Sequence, residues 1–180
     1  TGDPVKLLRV WRQQRQPSAG ESMMHYLPPG DYLPHDTPML LLESVESVTD
    51  DRAVCSVTVN ERGVLAPFLD ADGNLPGWFA LELMAQTVGV WSEWHRMQKG
   101  LPHCALGMVL GARELVCDAG HFAAGSTLTI TIERLMQDER FGSFECTIHA
   151  DSVSLATGRV NTFQPSEEEL TTLFNQGTPS

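Results

Sequence analysis

The stretch PGWFALELMAQTVGVWSEWHRMQKG, from Pro76 to Gly100, decides how this chain folds. Pro76 and Gly100 are the start and stop signals of a long helix. Its first turns are apolar nearly all round, with Trp78, Phe79, Ala80, Leu81, Leu83, Met84, Ala85 and Val88. A helix that is hydrophobic on every side is buried rather than laid on a surface. Glu82 breaks the pattern. Its neighbours three and four positions away are Phe79, Trp78, Ala85 and Gln86, so no basic residue pairs with it along the helix.

Burying a carboxylate unpaired is costly, and the usual response is a raised pKa and a retained proton. Such a Glu82 is a proton donor near neutral pH, and Gln86, one turn on, lies on the same face to orient it. The other reading is that Glu82 reaches the surface through a gap, with Gln86 beside it. At Pro76-Gly77 the first amides of the helix have no partner within it, and a glycine lets a ligand come close. A carbonyl oxygen placed there meets N–H donors and the positive end of the helix dipole. Taken alone, the same dipeptide is a plain helix start.

Outward from the helix, the chain reads as strands. Met39 to Val48 is a first strand, and Ala53, Cys55, Val57 and Val59 alternate with Val54, Ser56 and Thr58 in a second. Asn60 to Asn74 is rich in turn residues. After the helix come Ala105 to Cys117, Thr127 to Glu133, Phe144 to Ala150 and Ser154 to Phe163, with Gly158 a candidate bulge. Two strands, a buried helix and three or four further strands suit an α+β arrangement, an antiparallel sheet wrapped around a central helix. Residues 1–24 read as an appendage, with a helical turn or two over Val5 to Arg12. Residues 25–165 read as the domain, and 166–180 as a tail with a short helix over Glu167 to Phe174.

Composition excludes several classes. With 180 residues, 42% hydrophobic and 19% charged, the chain has the make-up of one globular domain. No run approaches the roughly 18–20 apolar residues of a membrane span, and no secretory leader opens the chain, so the expected compartment is the cytoplasm. A net charge of -11 offers no stripe for nucleic acid. The four cysteines, Cys55, Cys104, Cys117 and Cys146, lack metal-ligand spacing and read as small buried hydrophobes. No metal site is expected.

PGWFALELMAQ (76–86) resembles the PGxxxxEAMAQ stretch of the 3-hydroxyacyl-[acyl-carrier-protein] dehydratases. YLPHDTPMLLLESV (32–45) resembles that family's opening LPHRYPFLLVDRV, and GMVLGARELVCDAGHFAAGSTLTITI (107–132) its later GxxxARFxxPVxPGDxL strand pair. The three come in the family's order, and the likeness is greatest to the variant found with aryl-polyene pigment clusters. The resemblance implies a hot-dog fold, a dimer with active sites at the subunit interface, and elimination of water from a 3-hydroxyacyl thioester. It implies Glu82 as the catalytic acid and the Gly77 and Trp78 amides as donors to the thioester oxygen. No cofactor is implied, because the substrate rides on the phosphopantetheine arm of acyl carrier protein. That carrier is acidic, so docking requires a local basic patch, with Arg96, Lys99, Arg113, Arg134 and Arg140 as candidates.

One departure stands out. The family's proton-accepting histidine belongs to a GHFPG loop before the helix, whereas this loop reads Ala66-Pro67-Phe68-Leu69-Asp70-Ala71-Asp72-Gly73-Asn74. The matching position is Pro67 or Phe68, and no histidine lies between Asp36 and Trp94. Three sources of a base stay open: His35, whose family counterpart is structural; Asp70 or Asp72, which also suit a simple turn; or a histidine from a second hot-dog subunit in a heterodimer. The competing activities are a hot-dog thioesterase, in which the helix carboxylate activates water, and a non-catalytic subunit that supports a partner. Trp91 and Trp94 suit either an interface or a core.

Overall fold

The computed structural model describes residues 7–9, 26–32, 40–100, 108–138 and 140–163. A sheet of seven antiparallel strands carries the fold: β1 (Leu7–Arg9), β2 (Ser44–Val48), β3 (Arg52–Thr58), β5 (Met108–Cys117), β7 (Thr127–Gln137), β8 (Phe141–Ala150) and β9 (Val153–Phe163), in the order β1-β5-β9-β8-β7-β3-β2. Two short strands, β4 (Leu75–Pro76) and β6 (His121–Phe122), pair separately. One helical turn, α1 (Pro29–Tyr32), precedes β2, and the long helix α2 runs Phe79–Gln98. It packs against every strand of the large sheet except β1, which is what a sheet wrapped around a helix requires.

Alternation builds the inner face. Cys55 pairs with Ile130, Ile130 with Ile148, and Ile148 with Ala156, so one buried row crosses four strands. The next row is Ala53, Ile132, Cys146 and Gly158. Against these rows α2 buries Leu83, Met84, Val88 and Val90 completely, each contributing about 1.5–3 kcal/mol over an exposed position. Gly158 is not a bulge. It pairs in register with Cys146, and the nearby register shift lies at Ile148/His149. A Cβ on Gly158 would meet Leu115 Cδ1 at 2.9 Å and Met84 Sδ at 3.4 Å, so the glycine makes room for those side chains.

Several boundaries differ from the sequence reading for tertiary reasons. The helix begins at Phe79 rather than Pro76, because Leu75 and Pro76 pair with Phe122 and His121. At the other end Gly100 adopts φ +66 beyond the cap, the left-handed stop that its position suggests. The first strand is shorter than read: the Leu41 N–H is donated to a helix side chain, and strand geometry starts only at Ser44. Leu7–Arg9 is a strand pairing with Met108–Leu110, not a helical turn. Trp91 is a core residue, only 3% exposed and edge-on to Phe144 with ring centroids 5.2 Å apart. The tail helix read over Glu167 to Phe174 and Cys104 lie outside the described residues.

Cys55 and Cys146 are the buried hydrophobes expected of them. Burial pushes both thiols up to about 12. Neither is expected to react with a thiol-alkylating reagent at neutral pH until the protein unfolds, which mass mapping with and without denaturant checks. The same shifts carry a pH dependence. Thiols that ionise from an ordinary 9.0 in the unfolded chain but only near 12 in the fold leave stability intact below pH 9. Stability then declines as pH rises through that window. Among the described residues no group of His, Cys, Asp or Glu side chains is placed to hold a metal ion, and no helix is long and apolar enough to cross a membrane.

Candidate active site

Glu82 lies in the first turn of α2, and only 9% of its surface is exposed. The reading of a side chain escaping to the surface is therefore wrong. Gln86, one turn on and 1% exposed, donates from Nε2 to Glu82 Oε1 at 3.1 Å. Its other amide atom, Oε1, accepts the Leu41 N–H at 2.9 Å. A backbone N–H only donates, so this second bond fixes which way the amide faces and presents an N–H to the carboxyl group. Glu82 is thus a buried, oriented carboxyl. Gln86→Leu would leave the Leu41 N–H without its acceptor in a buried place, and the expected loss is about 1–3 kcal/mol of stability. A urea titration would measure it.

Ahead of the helix, the chain is held by a contact that no local sequence signal announces. The Gly77 N–H donates to the Gly120 carbonyl at 2.9 Å, from the turn that precedes β6. A Cβ on Gly77 would stand 2.6 Å from that same oxygen, so only glycine fits. The expectation of two unengaged amides is therefore corrected: Gly77 already has an acceptor, because β4–β6 pairing brings Gly120 against it. The Trp78 N–H has no hydrogen-bond partner among the described residues, and its indole is 76% exposed at the mouth of the helix.

The loop before α2 holds no base. Phe68 closes the short 3-10 turn Ala66–Phe68, and its ring lies 5.3 Å, centroid to centroid, from Phe79 in the first helical turn. Both aspartates belong to the turn that follows. Asp70 Oδ1 accepts the N–H groups of Asp72 and Asn74 at 2.9 and 3.0 Å, and Asp72 is exposed. Asn74 Oδ1 in turn accepts the Ala124 N–H, which ties the loop to the segment after β6. His35 lies outside the described residues. The structure thus brings Glu82 and Gln86 together, sets Gly77 and Trp78 at the start of the same helix, and leaves Asp70 and Asp72 in a solvent-facing turn.

A sheet wrapped around one helix, with a buried glutamate in that helix's first turn, defines a hot-dog-fold protein of the thioesterase and dehydratase class. Within that class the chain belongs to the ApeP-like family of dehydratases, whose description, ApeP dehydratase, matches residues 27–175. The dehydratase heterocomplex ApeI:P from Xenorhabdus doucetiae contains a chain 52% identical to this one, with a TM-score of 0.78 over 84% of this chain and 99% of that one. A 3-hydroxyacyl-[acyl-carrier-protein] dehydratase FabZ from Acinetobacter baumannii is 29% identical over 131 residues, covering 72% of this chain and 88% of the relative. The TT0310 protein of Thermus thermophilus, at 15% identity and a TM-score of 0.51 over 68% of this chain and 91% of that one, shares the fold alone.

Proposed function

We propose that this dehydratase eliminates water from a 3-hydroxyacyl thioester carried on acyl carrier protein, and that it works as one half of a two-subunit hot-dog complex. The observation that carries the reading is an oriented acid without a base. Glu82 is buried and held by Gln86, while Phe68, at the position where the family's histidine is expected, is packed on Phe79. The related structure whose printed description is a dehydratase heterocomplex supports the second subunit.

In the proposed reaction a histidine of the partner removes the proton on the carbon next to the thioester carbonyl. The Trp78 N–H, at the positive end of α2, stabilises the negative charge that develops on the carbonyl oxygen. Glu82 gives its proton to the departing hydroxyl, so that water leaves and a carbon–carbon double bond remains. The removed proton resides on the histidine, and the carboxylate regains one from water before the next turnover. Gln86 acts as a positioning residue throughout.

The test is to incubate the purified chain, alone and with a histidine-bearing hot-dog partner, with a 3-hydroxyacyl carrier protein, and to weigh the intact carrier. Loss of one water only when both subunits are present is the expected result. Loss of water with this chain alone would overturn the two-subunit part and direct attention to His35. Loss of the whole acyl group would make the protein a thioesterase.

A further inference from the structure

At the far end of α2 from Glu82 a cavity of about 630 Å³ opens between the last helical turns and the β7–β8 turn. Arg96, Lys99, Arg134 and Arg140 all line it. Eight of the chain's twelve Lys and Arg have described side chains, and these four of the eight meet here from three separate elements. In a chain with a net charge of -11 such convergence is a strong local reversal of sign. Of the five basic candidates for docking, only Arg113 is elsewhere, exposed on β5 opposite Arg159.

The acidic groups nearby do not cancel it. Asp51 pairs with Arg134. Asp138 lines the cavity but turns its carboxylate onto the N–H groups of Arg140 and Phe141, closing the turn. Asp50 is the remaining carboxylate of the lining. The cations are also braced: Arg134 stands over the Trp91 ring at 5.8 Å and Arg140 over Phe163 at 5.0 Å. Arginines held against aromatic rings lose less freedom when they bind.

We infer that this basic cleft is the docking surface for the acidic carrier protein, an assignment that rests on the carrier-bound substrate proposed above. An acidic partner is repelled by the chain as a whole and requires one face of opposite sign to dock. The cleft lies 14 to 17 residues along α2 from Glu82, about 21–26 Å at the helical rise, so it is separate from the chemistry, and a long thioester arm spans the interval.

The test uses the complex with its hot-dog partner and the variant R96E/K99E/R140E, with Lys99→Glu alone as a second variant at an exposed position; Arg134 is left to brace Trp91. Two quantities are measured: the affinity for unacylated carrier, and the ratio of kcat/KM on the 3-hydroxyacyl carrier to that on the same acyl group borne by N-acetylcysteamine. Expected are a roughly tenfold or greater loss of carrier affinity and an equal fall in the ratio, both shrinking at high salt. An unchanged affinity and ratio, or a parallel fall on both substrates, overturns the docking surface. So does loss of inorganic phosphate binding with carrier affinity intact, which would make the cleft a small-anion site. If the wild-type complex dehydrates neither thioester, the proposed function fails, and the affinity measurement still decides the cleft.

Discussion

Glu82→Gln is expected to lower the dehydration rate by about 10²–10⁴-fold, the usual contribution of a positioned acid, while leaving the fold in place. The substitution keeps the shape of the side chain and an acceptor oxygen toward Gln86 Nε2, whose other contact, the Leu41 N–H, is untouched. What it removes is the proton that the departing hydroxyl takes. The measurement is single-turnover dehydration of the carrier-bound substrate by the two-subunit complex, with thermal unfolding as the control. A variant that turns over within a few-fold of the wild type, at the same melting temperature, would remove Glu82 from the chemistry.

Gly77→Ala is expected to damage both stability and rate. The added Cβ would lie 2.6 Å from the Gly120 carbonyl oxygen, 2.8 Å from its carbon and 3.1 Å from Cys117 Sγ. Two of these are backbone atoms, and backbone yields only by moving the turn before β6 away from the helix start. Overpacking of this kind costs about 1–3 kcal/mol, or about 2–4 °C of melting temperature per kcal/mol for a chain of this size. The displacement also moves the Trp78 amide and the first turn that bears Glu82, and an ångström of misplacement is worth about 10²-fold in rate. Wild-type melting and wild-type rate together would show that the Gly77–Gly120 contact does not position the site.

Much of this molecule was legible in its sequence. The alternation through Ala53–Val59, Leu128–Ile132 and Phe144–Ile148 reports a half-buried sheet, because side chains on a strand take opposite faces in turn. The apolar run around Glu82 reports a buried helix for the complementary reason, that no side of it faces water. Glu82 and Gln86 could be paired from their spacing alone, since four residues make about one helical turn. The missing histidine was visible as a plain absence in the loop before the helix.

The tertiary structure decided what spacing cannot carry. The bond that fixes Gln86 comes from Leu41, 45 positions earlier. The acceptor that occupies the Gly77 amide is Gly120, brought there only when Leu75–Pro76 pairs with His121–Phe122. Gly158 reads as a bulge along the strand and is a packing gap across it, because Leu115 and Met84 approach from other elements. Arg96, Lys99, Arg134 and Arg140 are scattered charges in the sequence and one cleft in the fold. The sequence by itself determined the elements, the buried acid and its neighbour, because periodicity and helical spacing act over a few residues. Closure of the helix start and convergence of the cations were decided by strand pairing and packing, which join residues far apart along the chain.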